Sequence, residues 1–111
     1  MAEPHLTDLK ELAHQWLTTD ARVGVLECRH FFSGAAAYRD GTIVASLTPV
    51  GLAFKVAAPV HDDLLSSGLA TPLRYFPSGP IKRNYVLFPT AGGLDASDAA
   101  RLLLGESIDP K

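Results

Sequence analysis

The chain has 111 residues, 47% hydrophobic and 20% charged, which suits one globular domain and excludes a disordered or fibrous chain. Ten Lys and Arg against twelve Asp and Glu leave a net charge of −2, so no overall field draws it onto nucleic acid or an anionic membrane. A single cysteine, Cys28, excludes an intramolecular disulfide, and no run of about 18 apolar residues is present to span a bilayer.

From Pro4 to about Thr19 the pattern predicts an amphipathic helix. Leu6, Leu9, Leu12, Ala13, Trp16 and Leu17 share one stripe at i, i+3, i+4 spacing, while Asp8, Lys10, Glu11 and Gln15 fall elsewhere. Pro4 suits a first helical turn, where its missing N–H is no loss. Trp16, set among leucines at helical spacing, reads as core.

From Val23 to Val56 the period becomes that of strands. Asp40-Gly41 between apolar runs predicts a two-residue hairpin turn, because Asp tolerates and Gly freely accepts the positive φ it needs. That turn sets Arg39 opposite Thr42, Tyr38 opposite Ile43, Ala37 opposite Val44 and Ala36 opposite Ala45. Pro49-Val50 supplies a second tight turn and sets Thr48 opposite Gly51, Leu47 opposite Leu52, Ala45 opposite Phe54 and Ile43 opposite Val56. The expected core face then carries Ala36, Tyr38, Ile43, Ala45, Leu47, Leu52, Phe54 and Val56. The expected outer face carries Ala35, Ala37, Val44, Ser46, Thr48 and Ala53, with charge only at its margins, Arg39 and Lys55. A solvated sheet face is usually more polar. The reading expects a protein contact there, a homodimer through Ala35, Ala37, Val44, Ser46 and Ala53.

A short helix is predicted over about Pro59 to Ser67, stopped by Gly68. Pro72–Phe76 and Arg83–Phe88 read as strands joined by Pro77-Ser78-Gly79-Pro80. A last helix runs from about Asp95, a natural N-cap, to Leu104, with Gly105 past its end. The order α-β-β-β-β-α-β-β-α, without internal repeats, predicts a single α+β domain over residues 1–111. Its expected form is a two-layer sandwich, an antiparallel sheet of about five or six strands with helices on one face.

Chemical motifs are sparse. Cys28 and His30 share a face of a strand, but Glu27 points the other way and no orienting acid stands beside them. Cys28, His30, His14 and His61 lack the spacing of a zinc site. Gly92-Gly93 before the last helix and the acidic pair Asp62-Asp63 are read as a loop and as a helix-dipole complement. The expectation is no catalytic residue, no metal and no cofactor. A second reading is a weak nucleic-acid contact, in which Arg74, Lys82 and Arg83 interleave with Tyr75, Phe76 and Tyr85 around one loop. A Cys28-dependent enzyme stands third.

The run Arg29-His30-Phe31-Phe32-Ser33-Gly34-Ala35-Ala36-Ala37-Tyr38-Arg39-Asp40-Gly41-Thr42-Ile43-Val44-Ala45 resembles the N-terminal domain of the TfoX (Sxy) competence regulators. That pattern has an Arg, then Phe-Gly-Gly, a further Gly, a Tyr, an Asp-Gly turn and a Phe-Ala. Leu52-Ala53-Phe54-Lys55-Val56, Pro72-Leu73-Arg74-Tyr75 and Asn84-Tyr85-Val86-Leu87-Phe88-Pro89 are similar to its later strands, so the likeness spans about Val23 to Pro89. Arg29, Phe32, Gly34, Tyr38, Asp40, Gly41, Ala45 and Lys55 match the pattern; Ser33, Ala36 and Val44 depart from it. The resemblance implies a stand-alone regulatory domain without a cofactor, acting through protein contacts as an accessory to transcription regulation. It assigns Tyr38, Asp40 and Gly41 to the fold and leaves Arg29 free for more. With no positively charged, apolar leader at residues 1–5, the expected location is cytoplasmic and away from membranes.

Overall fold

The computed structural model describes residues 3–31, 34–74, 81–88 and 94–106. Its elements are α1 (Glu3–Thr19), a 3-10 turn (Ala21–Val23), β1 (Glu27–Phe31), β2 (Gly34–Arg39), β3 (Thr42–Thr48) and β4 (Gly51–Lys55). They continue with α2 (Ala58–Ser66), β5 (Thr71–Leu73), β6 (Lys82–Phe88) and α3 (Ala96–Leu103). The strands form one six-stranded antiparallel sheet in the order β1-β2-β3-β4-β6-β5. All three helices contribute to one core on the same side of it, which makes the α+β two-layer sandwich expected from the sequence.

The helix ends follow from local chemistry. Asp95 caps α3 by accepting from the Asp98 N–H at 2.8 Å, and Gly105, at φ 82°, turns the chain away beyond its last residues. Asp20 caps the 3-10 turn by accepting from the Arg22 N–H at 3.0 Å, a turn that the sequence pattern did not announce. Gly68 at φ 79° follows α2, and a proline opens it.

Leu9, Ala13 and Trp16 of α1 are buried against the sheet, as the stripe predicts, with Leu6 and Leu12 partly buried beside them. The Trp16 ring lies 5.5 Å from that of Phe54, and Phe54 meets Phe88 edge-on at 6.0 Å. Pairs of this kind add about 0.5–1.5 kcal/mol each beyond the area they bury. Val60 and Leu64 of α2 and Ala99, Ala100, Leu102 and Leu103 of α3 complete the core.

Both hairpin turns form where expected. Asp40 and Gly41 adopt φ 52° and 82°, and Arg39 pairs with Thr42 and Tyr38 with Ile43. Across the second turn Thr48 pairs with Gly51, Leu47 with Leu52 and Ala45 with Phe54. The register of β2 against β3 then departs from expectation. The register shifts between Ala37 and Tyr38, so that Ala37 pairs with Ala45, Ala36 with Ser46 and Ala35 with Leu47. Val44 is the additional residue, and it packs on the helix side together with Ala45.

The single inserted residue exchanges the two faces of β2. Ala35 and Ala37, expected outside, lie under the helices with no exposure. Tyr38, Ile43 and Ala36, expected inside, belong to the far side, and the first two are half-buried. A tyrosine beneath α1 would need a partner for its hydroxyl in an apolar layer. On the far side its ring instead receives the Arg29 guanidinium, 5.7 Å from the centroid. Arg39 moves to the helix side by the same exchange and donates from Nη2 to the carbonyl oxygen of Leu103 at 3.1 Å.

Candidate interaction edge

The expected contact surface is not one face and is not open. Ala35 and Ala37 are core residues and Val44 packs against the core. Ser46 and Ala53 do lie on the far side, but each is only 1% exposed. Ala53 joins Leu73 and Leu87 in a second, smaller buried cluster to which none of the three helices contributes. Small side chains in this sheet are therefore accounted for by packing within the chain, and the homodimer face read from the sequence is corrected accordingly.

Most residues that match the family pattern serve the chain's own architecture. Gly34 begins β2 hard against the end of β3: a Cβ there would overlap the Leu47 carbonyl oxygen and stand 2.7 Å from Thr48 Cα. Ala45 is buried between Ala37 and Phe54. Lys55 is exposed, opposite Tyr85. Arg29 is exposed on the far side, ion-paired with Glu27 and stacked over Tyr38. Phe32 lies outside the described residues.

Of the three cations proposed for nucleic acid, Arg74 is exposed at the end of β5, and the pairing of Leu73 with Lys82 brings β6 alongside it. The side chains of Lys82 and Arg83, with Tyr75, Phe76, the loop 77–80 and Gly92-Gly93, lie outside the described residues.

The feature that sequence reasoning missed is the edge formed by α1 and β1. In the sheet order β1 comes first, and α1 packs over β2 and, less extensively, over β1. A groove of about 320 Å³ opens between helix and strand, walled by Lys10, Ala13, His14 and Leu17 on one side and Val25, Leu26 and Cys28 on the other. Val25 is 82% exposed, an apolar side chain held out into solvent beside the strand. Gly24, at φ 79°, lets the chain swing from the 3-10 turn into this position.

Cys28 faces the helix side opposite Ala37 and is half-buried. Burial pushes its thiol up from the ordinary range, opposed weakly by the charge of Lys10. That is the reverse of the activation a nucleophilic cysteine requires. His61 Nδ1 lies 3.0 Å from Asp62 Oδ1, and His14 is exposed on α1. Among the described residues, no group of three or more His, Cys, Asp or Glu is placed to hold a metal ion, and no helix is long and apolar enough to cross a membrane.

No protein-family model matches the chain, and comparison with curated proteins yields no match.

Proposed function

We propose that the chain is a non-catalytic protein-interaction module with a regulatory role in the cytoplasm, an accessory to transcription regulation of the kind implied by its resemblance to the TfoX N-terminal domain. The observation that carries the reading is Val25, held 82% exposed beside the apolar groove and the outer strand of the sheet. Extended polypeptide recognises a sheet edge through main-chain hydrogen bonds and takes specificity from neighbouring pockets. An outer strand with an apolar groove at its shoulder offers both. The raised thiol of Cys28 favours this reading over a cysteine enzyme.

A photoreactive amino acid placed at position 25 tests it in living cells, with the same probe at exposed Ser66 on α2 as the control. Crosslinks to protein from position 25 and few from position 66 are expected. Equal yields from the two positions, or none from position 25, would overturn the assignment.

A further inference from the structure

We propose that the occupant of this edge is a second copy of the same chain, paired β1 to β1 about a two-fold axis centred on Cys28. The inference rests on the reading above and identifies its partner. When two identical antiparallel edge strands join around a two-fold axis into one continuous sheet, residues facing each other lie on the same side. The strand offers five centres, Glu27 to Phe31, and one at Phe31 leaves every other residue of β1 without a partner in the second copy's β1. A centre at Glu27 sets two carboxylates against each other, and one at Arg29 sets two guanidinium groups together. A centre at His30 places Arg29 against Phe31. The centre at Cys28 sets Glu27 opposite the second copy's Arg29, and Arg29 opposite its Glu27. It also sets Val25 opposite Phe31.

Charge complementarity thus selects one register. Glu27 and Arg29 are exposed on the far side and already ion-paired along the strand, so a second strand would close four charges into a ring. On the helix side the same register places the two Cys28 residues face to face and Leu26 opposite the second copy's His30, with the two grooves meeting across the axis. The opposite edge does not compete, because β5 has three residues and one of them is Pro72.

Light scattering on the purified chain in reductant, at high micromolar concentration, is expected to give a dimer of twice 11.9 kDa. Glu27→Arg and Arg29→Glu place like charges opposite each other in both symmetric pairs, and each should weaken the dimer about tenfold or more. The double reversal E27R/R29E restores opposite pairing and should restore the dimer, which separates this effect from misfolding. Mild oxidation of the native chain should link the copies through Cys28, since facing residues of antiparallel strands lie about 4.5–5.5 Å apart at Cα, within disulfide reach.

A monomer under these conditions overturns the proposal, as does a dimer indifferent to either single reversal or one that Cys28 cannot link. A monomer that still crosslinks from position 25 to other proteins would sink the two-fold pairing while leaving the interaction module standing. Absence of any crosslink would remove both.

Discussion

Arg39 Nη2 donates to the carbonyl oxygen of Leu103 at 3.1 Å, tying the end of the first hairpin to the last turn of the final helix across 64 residues of sequence. The guanidinium meets α3 where the backbone carbonyls lack partners within the helix and the dipole is negative, so hydrogen bond and charge act together. Replacing Arg39 with Met keeps much of the aliphatic stem and removes both. A loss of about 1–2 kcal/mol is expected in urea unfolding. Arg39→Lys, with the charge but without the planar fork, should recover only part of it.

The start of β2 tolerates no side chain. Gly34→Ala forces a methyl group against the backbone of Leu47 and Thr48, neither of which is a flexible side chain that can move aside. The variant should lose about 1–3 kcal/mol, as overpacked sites do. A denaturation midpoint equal to that of the native chain would show that the two strands do not approach so closely.

At the hairpin turn the two positions respond differently. Asp40→Gly relieves a non-glycine residue at φ 52° but frees the unfolded chain, so the two effects offset and stability should change by less than about 1 kcal/mol. Gly41→Val places a β-branched residue at φ 82° and should cost about 1–2 kcal/mol or more. Thermal melts of the pair check both directions.

The Cys28 thiol should alkylate slowly at neutral pH, with a rate that rises to a midpoint above that of a cysteine in an unfolded peptide. The sign for stability follows from the same cause. Burial favours the protonated thiol, so this contribution is fully present below the unfolded-state pKa and is lost as pH rises through the folded-state value. Labelling of the native and the urea-unfolded chain across an alkaline pH series measures the difference, and superimposed profiles would refute it.

Much of the fold was legible because its punctuation is chemically specific. Asp40-Gly41, Pro49-Val50, Asp95 and Gly68 each stand where a backbone dihedral or an unpaired N–H demands that type of residue. The face assignment was not legible, for an equally physical reason. Ala35, Ala36 and Ala37 are identical, and Ile43 and Val44 nearly so, which leaves no difference in volume or polarity to mark a one-residue shift. Tyr38 is amphipathic and accepts either side. Expected as core, Ala36 and Ile43 sit on the far side, while Arg39 crosses to the helices.

The candidate edge was hidden differently. The exposure of Val25 depends on β1 being the outermost strand, a tertiary relationship that local pattern does not carry. What the sequence did hold was the alternation of Glu27 and Arg29 about Cys28. Its meaning emerges only once β1 is known to come first in the sheet.

Pro72 in the short outer strand has a consequence for stoichiometry. A sheet that can be extended from both sides adds chains without limit, whereas one blocked at one border has a single valence. Growth through β1 alone would therefore end at two chains and could not proceed to a filament.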